Sequence, residues 1–127
     1  MSKKATLADI IARKKQGKMD TLQVAHYDSE TLGMQVEIRK IPLGRFMELT
    51  QEVEEGNLLE GMNKILFECC PIFKEDTKEA MEIYDVSVPT DLPSAVFEDQ
   101  MNEMNEILEL INGFYGMKNL DKEVKNS

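Results

Sequence analysis

The sequence has few of the residues from which enzymes and metal sites are built. Its 127 residues include one histidine and two cysteines. His26 stands alone, and Cys69 and Cys70 are adjacent, so there is no CxxC or HExxH arrangement for zinc. Neighbouring residues on a helix point in different directions and cannot form an ordinary structural disulfide, so we expect buried or half-buried thiols. The sequence predicts no metal site and no catalytic residues.

Glycine-rich phosphate loops and long apolar runs are also missing. The seven glycines match neither GxGxxG nor GxxxxGK[ST], which leaves nucleotide binding without support. No apolar run reaches the roughly 18 to 20 residues that cross a bilayer. The N-terminus also lacks the apolar core of a signal peptide. We therefore expect no cofactor, no membrane partner and a cytoplasmic location.

Charge of the two signs is unevenly distributed along the chain. The chain has a formal net charge of −9, but residues 1–18 hold six lysines and arginines against Asp9 alone, which leaves the remainder strongly acidic. Between Glu79 and Glu109 there are nine acidic residues and no lysine or arginine. Such a distribution repels a phosphate backbone. Nucleic acid is therefore a poor candidate for the main partner.

The spacing of apolar residues predicts an α+β fold that is mainly helical. A capping pattern at Thr6 and Asp9 favours a short N-terminal helix, over about 6–15. Alternating apolar residues predict one β-hairpin, with strands at about 21–27 and 34–41. Four helices are expected after it, over about 44–54, 57–70, 75–83 and 93–113. The predicted regions are a basic arm (1–18), a single domain (19–116) and a flexible C-terminal tail (117–127).

Apolar residues spaced like one face of a helix dominate the last predicted helix. They are Phe97, Met101, Met104, Leu108 and Ile111. This stripe is either ordinary core or, if the short helices around it leave it uncovered, a surface that binds a partner. Our hypothesis is that helix 57–70, through Met62 and Leu66, forms such a surface together with the stripe.

The basic arm also allows two interpretations. Its apolar face consists of Leu7, Ile10 and Ile11, and its basic end of Arg13, Lys14 and Lys15. Lysine-rich N-termini often serve only solubility. Alternatively, the apolar face docks in a groove while the cations engage an acidic neighbour, such as the acidic body of another copy. That alternative predicts weak, open-ended and salt-sensitive self-association.

Several longer segments occur in a distinctive order. They are IRKIPL (38–43), RFMEL (45–49), LFECCP (66–71), LPSAVF (92–97) and ILELINGF (107–114). Together with the basic N-terminal helix, the hairpin and the small acidic chain, this order resembles the phage tail assembly chaperones of Gram-positive hosts and their prophages. The resemblance covers nearly the whole chain, as a pattern of segments rather than a strict signature.

The resemblance implies a non-enzymatic protein of phage tail morphogenesis that acts in the host cytoplasm and is absent from the mature virion. The expected partners are the tape measure protein, which it keeps soluble, and tail tube subunits, which it brings to that client. It implies no catalytic residues. Two alternatives stay open: an acidic secretion-type chaperone or adaptor, and a structural tail component such as a terminator or connector.

Overall fold

The computed structural model describes residues 4–15 and 24–117. Its strands and helices are, in chain order, α1 (Leu7–Lys15), β1 (Val24–Ser29), β2 (Met34–Arg39), α2 (Leu43–Glu54), α3 (Leu58–Cys69), α4 (Thr77–Ile83), α5 (Leu92–Val96) and α6 (Met101–Phe114). Short 3-10 turns cover Pro71–Lys74 and Pro89–Asp91. The predicted class, α+β and mainly helical with one N-terminal hairpin, is confirmed. The predicted strand start at 21–23 and the predicted tail beyond Met117 lie outside the described residues.

The hairpin has one face in the core. Its strands are antiparallel, with Val24 opposite Arg39 and Ser29 opposite Met34. Gly33 in the turn has a φ of 64°, a left-handed conformation that glycine adopts without steric cost. Val36 and Ile38 are buried, and the residues between and beside them are more exposed. This alternation of buried and exposed side chains matches the alternation of apolar and polar residues in the sequence.

Helices α2 and α3 pack closely through a glycine. A Cβ atom at Gly61 would lie 2.5 Å from Val53 Cγ2 and 3.0 Å from the Val53 backbone nitrogen. Any side chain there would push the helices apart. At the other end of α3, Cys70 adopts an extended conformation before Pro71, because a residue that precedes proline is disfavoured in a helix.

The prediction of one continuous helix over 93–113 is wrong, because the chain turns between α5 and α6. Glu98 and Asp99 have φ values of 52° and 61°. The Asp99 N–H donates to Ser94 O at 2.8 Å, and the Glu98 N–H donates to Ala95 O at 3.1 Å. These two bonds form a Schellman motif, which ends a helix, with Glu98 in the position that glycine usually occupies.

One core joins the hairpin to the helices that follow it. Its buried apolar residues are Val36, Ile38, Phe46, Leu49, Met62, Ile65, Leu66, Cys69, Cys70, Phe73, Leu92, Phe97, Met104, Ile107 and Ile111. Helix α1 contributes no buried residue. The arm is therefore not part of this core.

Two buried polar contacts tie distant elements together. Asn63 on α3 accepts a hydrogen bond from the Ser94 N–H at 2.8 Å and donates to Ser94 Oγ at 3.0 Å, which anchors the first turn of α5. Glu103 on α6 accepts hydrogen bonds from the Ser29 hydroxyl at 2.6 Å, from the Thr31 N–H at 3.3 Å and from the Thr31 hydroxyl. The second contact holds the hairpin turn against α6.

Candidate partner-binding surfaces

Most of the predicted partner stripe lies in the core. The predicted partner surface has seven residues, the five of the stripe and Met62 and Leu66 on α3. Five of the seven have no exposed surface: Met62, Leu66, Phe97, Met104 and Ile111. Met101 and Leu108 are partly buried and pack against the same core. A fully buried side chain cannot contact a client, so in this conformation the stripe supports the fold. Apolar surface for a partner is found elsewhere on the molecule.

A surface groove of about 640 Å³ lies between the start of α2 and the end of α6. We call it the α2–α6 groove, and its lining is Lys40, Ile41, Pro42, Leu43, Phe114 and Tyr115. Leu43 is 55% exposed, and Met47, one helical turn further along α2, is 52% exposed. Residues four apart lie on the same helix face. The groove and Met47 thus present neighbouring apolar surface along α2.

Tyr115 is held firmly in this groove. Its ring stacks on Phe46, with centroids 4.4 Å apart and planes 14° apart. Its hydroxyl donates to Ile41 O at 2.5 Å and accepts the Ile41 N–H at 3.2 Å. Burial raises the pKa of Tyr115, so the phenol stays protonated and able to donate at neutral pH. Lys40 Nζ lies 5.3 Å from the ring centroid, which is within cation–π distance.

A second apolar depression lies on α4 and carries carboxylates. We call it the α4 surface, and its lining is Glu75, Asp76, Glu79, Ala80, Ile83 and Tyr84. Ile83 is 72% exposed and Tyr84 is 43% exposed. The carboxylates lie toward the start of the helix and the apolar residues toward its end. The surface is therefore acidic at one end and apolar at the other.

Helix α1 presents its apolar face to solvent. Leu7, Ile10 and Ile11 are 71%, 49% and 46% exposed. The last turn carries the basic residues Arg13, Lys14 and Lys15, all exposed. The predicted capping interaction is confirmed: the Thr6 hydroxyl accepts the Asp9 N–H at 3.2 Å and donates to Asp9 Oδ2 at 2.8 Å.

The residues that line the α2–α6 groove are not among the predicted site residues. Ile41 and Pro42 lie at the end of a predicted strand, and Phe114 and Tyr115 lie at the end of a predicted helix. The only local signal is that apolar residues continue past the proline and past Gly113, where the regular patterns stop. Their proximity depends on how β2, α2 and α6 pack.

The titratable groups most relevant to chemistry are unreactive or exposed. Cys69 and Cys70 are free and buried, as predicted. Burial raises the pKa of Cys69 to about 12 and that of Cys70 still higher. Both are therefore neutral thiols, the weakly nucleophilic form, at physiological pH. His26 is exposed on β1.

Two negative findings apply to residues 4–15 and 24–117. Over those residues, no group of three or more His, Cys, Asp or Glu side chains is arranged to hold a metal ion. Across the same part of the chain, none of the helices has both the length and the apolar character needed to cross a membrane.

Comparison with known proteins identified no relative of this chain. A scan of family models, a search of curated proteins and a search of solved structures gave no significant match. The resemblance to tail assembly chaperones stays a prediction from the order of sequence segments.

Proposed function

We propose that this protein is a phage tail assembly chaperone that binds the tape measure protein, keeps it soluble and recruits tail tube subunits in the cytoplasm of the bacterial host. The proposal rests on the sequence resemblance. The structural observation that supports it best is exposed apolar surface on an acidic body. A chaperone for a helical client needs apolar surface to cover the client and net charge to keep the complex in solution.

The α2–α6 groove is the client surface that we propose in place of the buried stripe. A second depression lies along α2, where it is lined by residues from Gly44 past Met47 to Glu54. Helix α2 has 12 residues, so at 1.5 Å per residue the combined surface is about 18 Å long. That length matches about three turns of a client helix bound through its apolar face.

Coexpression with the tape measure protein encoded by the same phage genome tests this proposal. The measured quantity is the soluble fraction of the tape measure protein, together with its recovery on the tagged chaperone. The wild-type chain should raise both, and Leu43→Glu with Met47→Glu should abolish the gain. Both side chains are more than half exposed, so the double variant should keep the wild-type circular dichroism and melting temperature.

A matched control separates the groove from apolar surface in general. Leu58 and Leu59 are each 51% exposed at the start of α3, so Leu58→Glu with Leu59→Glu makes the same chemical change at another place. This control should solubilise the client like wild type. Equal loss in both double variants would count against the groove. If the wild-type chain neither solubilises the tape measure protein nor binds tail tube subunits, the proposed function is wrong.

A further inference from the structure

We infer that the α4 surface of one copy binds helix α1 of a second copy, with the two helices antiparallel, so that copies join head to tail. This contact is separate from the α2–α6 groove. It involves two surfaces that the single chain leaves exposed, and its test requires no client.

The two surfaces are complementary in chemistry. Helix α1 offers three exposed apolar side chains followed by three cations. The α4 surface offers the exposed apolar side chains of Ile83 and Tyr84 beside the carboxylates of Glu75, Asp76 and Glu79. Packing them together removes apolar area from water and pairs opposite charges at the same time.

The order of the residues determines the orientation. Along α1 the apolar residues come first and the basic residues last, whereas along α4 the acidic residues come first and the apolar residues last. Only antiparallel helices place each part opposite its complement. The lengths also agree, because Leu7 to Lys15 and Asp76 to Tyr84 each span eight residue steps, or about 12 Å in a helix.

The carboxylates of the α4 surface differ from those beside two other exposed apolar patches, each of which has one carboxylate paired with a cation of the same chain. Near Met47, Glu48 is paired with Arg45 at 3.1 Å, and near Leu59, Glu60 is paired with Lys64 at 3.4 Å. Among the described residues, no ion pair involves Glu75, Asp76 or Glu79.

The lysines close to α4 in sequence are placed elsewhere. Lys78 lines a different depression, with Glu82 and Asp85. Lys74 Nζ lies 5.9 Å from the centroid of the Phe67 ring. These lysines therefore do not neutralise the carboxylates of the α4 surface, whose negative charge can attract a cation of another molecule.

This contact joins two different surfaces, so each added copy leaves one α1 helix and one α4 surface exposed. Such a heterologous contact builds an open series unless its rotation closes a ring. A nine-residue helix buries little area, which makes the contact weak. Because exposed charges supply part of the attraction, the contact should also weaken as salt rises.

Sedimentation velocity of the full chain over a concentration series tests the inference. At low salt the average mass should rise continuously with concentration, and at about 1 M salt, where the Debye length is about 3 Å, it should fall to that of the monomer. A monomer at every concentration in low salt would overturn the inference. A dimer that grows no further would overturn the head-to-tail arrangement.

Charge reversal identifies the two surfaces. Glu75→Lys with Glu79→Lys makes the α4 surface basic, and Arg13→Glu with Lys15→Glu makes the arm more acidic. Each double variant alone should associate at least tenfold more weakly than wild type, because like charges then face each other. An equimolar mixture of the two variants should associate again, since each contact in an alternating series regains opposite charges.

Two further samples complete the test. Glu54→Lys with Glu55→Lys changes the net charge as the α4 variant does, but at the C-terminal end of α2, and should associate like wild type. Equal loss in this control would show that overall charge, not the α4 surface, governs association. All four substitutions in one chain restore opposite charges between α1 and α4 of different copies, so this variant should associate again. If it stays monomeric and the mixture also fails to associate, charge pairing between α1 and α4 does not drive association and the inference is overturned.

Discussion

At the scale of single residues, Glu103 shows how one carboxylate fixes the position of a distant turn. Only 3% of this residue is exposed. Burial alone would raise the pKa of Glu103, but hydrogen bonds from Ser29 and Thr31 favour the charged form more strongly and hold the pKa below its ordinary value. The ionised carboxylate therefore stabilises the fold by holding the hairpin turn on α6.

Removing this carboxylate should destabilise the protein. Glu103→Ala leaves the Ser29 hydroxyl and the Thr31 N–H without their acceptor, which should lower the free energy of unfolding by about 2 to 3 kcal/mol. Urea denaturation measures the change. Asn105→Ala, at an exposed position on the same helix, should change it by no more than about 0.5 kcal/mol. Equal effects at both positions would contradict the role of Glu103.

The same contact predicts a dependence on pH. A carboxyl group whose pKa is lower in the folded state stabilises that state fully above its unfolded pKa, about 4.3 for glutamate, and the contribution is lost as pH falls through the folded value. The stability difference between wild type and Glu103→Gln should therefore shrink below about pH 4. A difference that stays constant down to pH 2 would contradict this assignment.

At the scale of elements, the turn between α5 and α6 is the main departure from the sequence prediction. Phe97 is buried just after α5 and Met104 is buried on α6, so apolar residues recur at helical spacing on both sides of the break. No glycine or proline lies between residues 97 and 100. The usual signals of a helix end are therefore absent, and local periodicity cannot reveal the turn.

Glycine substitution distinguishes a turn from a continuous helix. Glu98→Gly should raise the free energy of unfolding by about 0.5 to 1 kcal/mol, because glycine adopts the left-handed conformation without the Cβ clash that glutamate meets. Asn105→Gly, within α6, should lower it by about 0.2 to 0.5 kcal/mol, because asparagine is already a poor helix former. Urea denaturation of both variants provides the measurement. If Glu98→Gly destabilised the protein as Asn105→Gly does, the helix would be continuous there.

At the scale of the whole molecule, the hydrophobic core and the basic arm occupy different parts of the chain. The core joins the hairpin to the helices after it, while α1 has no buried residue. Charge is divided in the same way, with cations concentrated in the arm and carboxylates over the rest. The arm is therefore available for contacts between molecules at little cost to the fold.

Alanine substitutions in α1 and in the core should have different effects on stability. Leu7→Ala, Ile10→Ala and Ile11→Ala together should leave the urea midpoint of the domain nearly unchanged, since side chains already in water lose little on truncation. Leu66→Ala, at a fully buried position, should lower the free energy of unfolding by about 2 to 5 kcal/mol. A large loss of stability in the triple variant would show that α1 packs on the domain.

The sequence by itself determined the class of the fold, the hairpin, the bounds of α1 to α4 to within a few residues and the burial of the thiols. Those features depend on local periods of two and 3.6 and on local breakers such as Pro71. The tertiary structure alone decided that the apolar stripe is covered, that the chain turns at Glu98 and that the α2–α6 groove exists. Burial is a property of distant segments that pack together, and a local pattern does not specify which segment covers which.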